Sequence, residues 1–341
     1  MKKRMYLISI ALSVILIGML GCGKKEEEVK SRTELFMGTA ISVKIYNGKE
    51  EVLNEAFEKV KEIEDKVSIN KNETEVYEIN KNAGIKKVSV SDDTFEIIEK
   101  GLKYSEMSNG KYDISIGPIV KLWSIGLPEA KIPTQEEVNK TLEYVDYRDI
   151  ELNKETKEVF LKEKGMILDL GSIAKGYAAD QIAEILKEQK IEKAIIDLGG
   201  NIYAMGTKEK DKPWKIGIQN PFSERGDVVG SVYVENKSVV TTGIYERFIE
   251  EEGKKYHHIL DPKKGYPYES NIAGVSIISD KSIDGDALST LIFTLGIDEG
   301  LKFINELNGV ESVFVDNNKN IYLSDGLENN FELINKDFKK E

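Results

Sequence analysis

The chain has 341 residues and a formal net charge of −12, from 60 acidic against 48 basic side chains. That excess repels phosphate backbones and no basic stripe offsets it, so nucleic acid is excluded as a partner. Hydrophobic residues make up 40% and proline occurs only 7 times, which fits a packed globule.

The N-terminus reads as an address. Lys2, Lys3 and Arg4 precede an apolar run from Tyr6 to Leu20. The run falls short of the roughly 20 residues of a spanning helix and has the charge order of an export signal. It ends in Met19-Leu20-Gly21-Cys22, which resembles a bacterial lipobox with Met19 in place of the usual leucine. Residues 1–21 are therefore expected to be a lipoprotein signal peptide, with the lipid on Cys22. Such an anchor holds the body at the cell membrane, facing outside the cytoplasm. Cys22 is the only cysteine, so no intrachain disulfide can form. Residues 22–31, dominated by Lys and Glu, read as a solvated tether, and 32–336 as a single folded unit, compact and two-lobed.

Strand and helix signals then alternate. Residues 37–46 alternate as a strand does, and 50–67 place Val52, Ala56, Val60, Ile63 and Val67 at helical spacing. A second helix is expected over 95–108, stopped by Asn109-Gly110. Residues 159–170 read as two short strands turned at Glu163-Lys164-Gly165, and 173–189 as a helix. A buried strand over 193–198 is broken by Gly199-Gly200, and further strands are expected at 214–218, 230–234, 239–242 and 272–279. Helices at 286–295 and 298–307 are separated at Gly296. A hairpin of 312–315 and 320–323 turns at Asn317-Asn318. Hairpins mixed with crossovers point to an α+β fold with mixed β-sheets and packed helices.

Four segments carry chemistry. The chain's two histidines, His257 and His258, stand side by side ahead of Ile259-Leu260-Asp261-Pro262. Spending both near-neutral titrating groups in one place suggests proton transfer, although a turn cap is an equal reading of the pair alone. In Leu168-Asp169-Leu170-Gly171-Ser172-Ile173-Ala174-Lys175 a strand feeds through glycine into a helix, where free N–H groups suit a phosphate and where Asp169 also serves as a cap. Asp284 and Asp286 open a helix, and Asp286 shares a face with Thr290 four residues on. Those oxygens suit a hard cation such as Mg²⁺, while either carboxylate alone is also a natural N-cap. In Gly110-Lys111-Tyr112-Asp113, followed by Gly117-Pro118 and Trp123, a carboxylate among aromatics suits a planar ligand or an aromatic core.

Taken in order, Met37-Gly38-Thr39, YDISIGPIVKLW, LDLGSIAKGYAAD, DLGGN, WKIGI, TTGIYERF, YHHILDPKKGYP and DGDALSTLIFTLG resemble the blocks of the ApbE family of FAD:protein FMN transferases over nearly the whole mature chain. The resemblance implies an exported Mg²⁺-dependent enzyme. It would split FAD, attach FMN through phosphate to a threonine hydroxyl of a partner flavoprotein at the membrane or outside the cell, and release AMP. The implied metal ligands are the Ser172 carbonyl and the Asp286 and Thr290 side chains. Implied FAD contacts are Met37, Lys111, Tyr112, Asp113, Asp169, Lys175 and the Ile259-Leu260 backbone. Ile69 and Ile244 stand where the family more often has a tyrosine and a polar residue. His258 is the expected base, His257 the reserve, and Asp284 the group that orients a histidine or a water. Hydrolysis of FAD to FMN and AMP, or FAD capture without catalysis, are the alternative activities.

Overall fold

The computed structural model describes residues 27–341, so the signal sequence and Cys22 lie outside the described residues. β1 (Val29–Phe36) turns back at Met37-Gly38 into β2 (Thr39–Tyr46). α1 (Glu50–Val67), α2 (Glu75–Lys81), β3 (Val88–Ser89), α3 (Asp92–Met107), α4 (Gly117–Trp123) and α5 (Gln135–Leu142) follow. The hairpin β4 (Ile150–Asn153) and β5 (Glu158–Leu161) leads to α6 (Ala174–Glu188). Next come β6 (Ala194–Leu198), β7 (Asn201–Met205), β8 (Trp214–Gln219), β9 (Val228–Val234), β10 (Lys237–Gly243), β11 (Phe248–Glu251), β12 (Lys254–His257) and β13 (Ile272–Ser279). The chain closes with α7 (Ser282–Leu295), α8 (Ile297–Asn305), β14 (Glu311–Asp316), β15 (Asn320–Leu323), β16 (Phe331–Leu333) and β17 (Lys339–Lys340). Among the described residues no helix is long and apolar enough to cross a membrane.

Nine strands form one sheet in the order β1-β2-β6-β7-β10-β13-β14-β15-β17, antiparallel except for β15 with β17. Both faces of its centre are buried, and the period of two decides which side chain goes where. Ile196, Leu198, Val275, Ile277 and Phe314 pack with Leu53, Val60, Ala178, Ile182, Leu288 and Leu291 of the helices. Their neighbours Ile195, Ile278, Val313 and Val315 pack against Trp214, Ile216 and Val232 of the small sheet β16-β9-β8. This is why every residue of β13 is buried, Ser276 and Ser279 included. The fold is α+β with mixed sheets, as expected.

α6 and α7 meet at their N-terminal turns, and glycine makes the approach possible. A Cβ on Gly176 would lie 2.3 Å from the Ser282 carbonyl oxygen and 2.6 Å from the Ile283 Cα. Both obstacles are backbone, so the helix must shift as a unit. Gly176→Ala is expected to cost about 1–3 kcal/mol in urea unfolding, the usual penalty of overpacking.

The two helices also cap each other. Asp180 on α6 accepts the Ser282 and Ile283 N–H groups at 2.8 and 3.0 Å, and Asp286 on α7 accepts the Gly176 N–H at 2.8 Å. Each carboxylate thus sits on the positive end of the other helix. Burial pushes the Asp180 carboxyl up to about 6, against the pull of those two N–H groups. The unfolded chain loses this proton near 3.8 and the folded one near 6, so stability declines as pH rises between them. Asp180→Asn should flatten that decline, on the order of 3 kcal/mol, in melts compared at pH 4 and 7.

Several local expectations are corrected. β1 begins at Val29, inside the segment read as tether, because its register with β2 continues past residue 32; β17 likewise runs beyond 336. β5 pairs with β4, and residues 166–170 form no second strand; only a bridge from Ile167 to Ile116 remains. Pro118 starts α4 instead of a free turn, since its missing N–H costs nothing in a first turn. α7 starts at Ser282, so Asp284 and Asp286 lie within it and neither caps it. The cap comes from Asp180, 102 residues away in sequence, and local patterning cannot reveal it.

Candidate functional site

The crossing of α6 and α7 brings the Ser172 junction and Asp286 together. Asp286 is buried, with one oxygen on the Gly176 N–H and the other 3.4 Å from the Lys175 ammonium. Lys175 also donates to the Gly171 carbonyl at 3.2 Å. The Ser172 hydroxyl donates to the Tyr112 hydroxyl at 3.0 Å, and the Tyr112 phenol, pushed up chiefly by burial, also feels the charges of Asp286 and Asp169. Thr290 follows one helical turn after Asp286 and is half-buried.

This nook fits a small hard cation. The oxygens gathered there around the Lys175 ammonium are the Asp286 carboxylate and the Gly171 carbonyl, both hard donors. The ammonium already rests against both, so the place accepts positive charge. Among the described residues no three His, Cys, Asp or Glu side chains converge. Mg²⁺ is the kind of cation that can use so few protein oxygens, because it keeps several waters.

The two histidines have separate roles. His257 is buried, donates from Nε2 to the Tyr268 carbonyl at 3.0 Å and accepts the Ile259 N–H on Nδ1 at 3.3 Å. Its ring packs edge-on to Phe293 at 5.8 Å. Both nitrogens are committed, which corrects its reserve place as a base. His258 Nδ1 lies 3.3 Å from the Arg247 carbonyl, which can only accept, so the proton is on Nδ1 and the Nε2 lone pair is left. Burial pushes the His258 imidazole down to about 4, helped by the charges of Arg247, His257 and Lys175. It is neutral at pH 7, as a base must be.

Asp284 does not serve the histidines. It accepts from the Tyr104 hydroxyl at 2.5 Å and the Lys100 ammonium at 2.7 Å on α3. Residues two apart on a helix point to different sides, so Asp284 and Asp286 diverge. Asp113 holds a turn: its oxygens accept the Ser115 N–H and hydroxyl, both at 2.7 Å, and the Tyr147 N–H at 3.1 Å. Lys111 pairs with Glu299 at 3.0 Å. The Ile259 N–H and carbonyl are taken by His257 and the Tyr268 N–H. These expected flavin contacts are thus occupied by the chain itself, while Leu260 is buried beside Pro267.

Asp169 stands near enough to the nook to feel Lys175, and Met37 lies on the β1–β2 turn. Met37 has a left-handed backbone, φ 52°, held by its N–H on the Glu64 carboxylate at 2.7 Å. Asp169 accepts the Gly171 N–H at 2.8 Å; burial raises its carboxyl, and Lys121, Lys175 and Arg247 oppose that rise. Arg247, Lys121 and Glu246 were not singled out in the sequence, although the blocks TTGIYERF and YDISIGPIVKLW contain them. Only folding brings them near Asp169 and Lys175.

The ApbE family profile matches residues 37–314. A Klebsiella pneumoniae protein named FAD:protein FMN transferase is 37% identical over 299 residues, covering 88% of this chain and 93% of its own length. A Treponema pallidum protein of the same name is 34% identical, covering 93% and 92%. The solved ApbE protein of Thermotoga maritima superposes with a TM-score of 0.81 at 28% identity, covering 88% of this chain and 98% of its own. With the family profile spanning most of the chain and relatives above 30% identity matched over nearly their full length, the chain belongs to the ApbE family.

Proposed function

We propose that this enzyme, an FAD:protein FMN transferase, moves FMN from FAD to a threonine hydroxyl of a partner flavoprotein with Mg²⁺ and releases AMP. Its relatives carry FMN transfer in their names, and the observation that supports the fuller reading in this chain is the pairing of Asp286 with Lys175, whose charge also reaches a neutral His258. Asp286, Thr290 and the Ser172 carbonyl would hold the metal. When bound, Mg²⁺ withdraws charge from the pyrophosphate it touches.

The protein's own groups supply the rest. The His258 Nε2 lone pair takes the threonine proton as the oxygen bonds to the FMN phosphorus and the P–O–P bond breaks toward AMP. The Arg247 carbonyl keeps the imidazole in the tautomer that exposes Nε2. Gly176 and the α6–α7 caps hold Asp286 in place before substrate arrives. The lipobox pattern at Cys22 supports attachment to the outer side of the membrane, where an exported acceptor would be found.

The test is incubation of the mature protein with FAD, Mg²⁺ and a threonine-bearing flavoprotein. Acceptor carrying covalent FMN, with equimolar AMP, is the expected outcome. Free FMN with AMP would make the enzyme a hydrolase, and unchanged bound FAD would make it a carrier.

A further inference from the structure

Two cations near the nook have no stated task. Arg247 precedes β11, and its side chain passes Gly126 and ends at Gly38, two positions that have no side chain of their own. A Cβ on Gly38 would lie 3.3 Å from its Nη2, and one on Gly126 would lie 3.2 Å from its Cδ. Lys121 occupies the last turn of α4. Both are exposed, and among the described residues neither makes an ion pair, whereas Lys175 is engaged by Asp286.

Their charges converge. Lys121, Lys175 and Arg247 all act on Asp169, and Arg247 with Lys175 acts on His258 and Glu246. The three cations match three carboxylates there, Asp169, Glu246 and Asp286, while Arg225, which also acts on Glu246, is paired with Asp197 at 3.4 Å. The patch is therefore near neutral, so a divalent ion would leave an excess of two positive charges, equal to the two negative charges of a dinucleotide pyrophosphate. An arginine with free N–H groups beside that balance is a fork for phosphate oxygens.

We propose that Arg247 and Lys121 form an anion subsite beside His258 that holds a phosphate of the dinucleotide, with Arg247 as the hydrogen-bonding fork and Lys121 as a point charge. The subsite rests on the reading of the chain as an FMN transferase. Negative charge grows on the departing phosphate as the P–O–P bond breaks, so Arg247 would serve the reaction as well as binding.

Flavin fluorescence titrations with FAD, and with riboflavin as the phosphate-free control, test it. Arg247→Gln should weaken FAD binding by about tenfold or more, the worth of one charge-assisted hydrogen bond, and leave riboflavin binding unchanged. Arg247→Lys should recover part of the loss. Lys121→Gln, on a different element, should weaken FAD by a smaller factor in the same direction. Unaltered FAD affinity in Arg247→Gln and Lys121→Gln, or an equal loss for riboflavin, overturns the subsite. Wild-type protein that binds FAD but labels no acceptor would instead overturn the transferase reading, and the two failures are separable.

Discussion

Replacing His258 by alanine is expected to lower FMN transfer about 10²–10⁴-fold while FAD still binds. The imidazole is held by the Arg247 carbonyl through Nδ1, which leaves Nε2 to accept a proton. Its depressed pKa, about 4, keeps it neutral through the physiological range. The sign follows: transfer requires the unprotonated ring, so the rate falls as pH drops toward that value and holds above it, until bound phosphate raises the limb. His257→Ala should behave differently. That ring spends both nitrogens on Tyr268 and Ile259, so its loss is expected to destabilise the fold by about 1–3 kcal/mol. Initial-rate assays paired with thermal melts distinguish the base from the structural histidine. Equal transfer by His258→Ala and wild type removes His258 from the chemistry.

Asp286→Ala should abolish transfer and also weaken the fold. One oxygen caps Gly176 and the other faces Lys175, so truncation leaves a buried N–H without an acceptor, a cost of about 1–3 kcal/mol. Asp286→Asn separates the two effects. The amide oxygen can still accept from Gly176, so stability should largely return, whereas the charge that attracts a divalent ion is gone. Wild-type protein is expected to melt higher when Mg²⁺ is added, and Asp286→Asn to show no such rise. A Mg²⁺-dependent rise that persists in Asp286→Asn would move the metal elsewhere.

Periodicity made the main helices and central strands legible. The apolar spacing of Val52, Ala56, Val60, Ile63 and Val67 sets α1 at Glu50–Val67, and the strand expected at 272–279 is β13. Short elements such as α2, α5 and the β11–β12 hairpin were missed, because a turn or two of charged residues carries little hydrophobic signal. At the site, meeting points were harder to read than residue types. Asp286 and the 171–176 junction do meet, and the charge of Lys175 reaches His258. Asp284 turned away to Lys100 and Tyr104, since the helix begins a turn earlier than its local signals suggest. Asp113 and Lys111 matched the family's order, yet their side chains are spent on Ser115, Tyr147 and Glu299. Partners far apart in the chain decide such outcomes, and no window of sequence contains them.

The most direct measurement is the anomalous signal of Mn²⁺, standing in for Mg²⁺, in crystals soaked with FAD. One ion is expected in the nook, bound by the Asp286 carboxylate, the Thr290 hydroxyl and the Ser172 carbonyl, with the pyrophosphate touching it and His258 Nε2 facing the FMN phosphorus. An ion bound away from Asp286, or a pyrophosphate that lies out of reach of His258, would contradict the account.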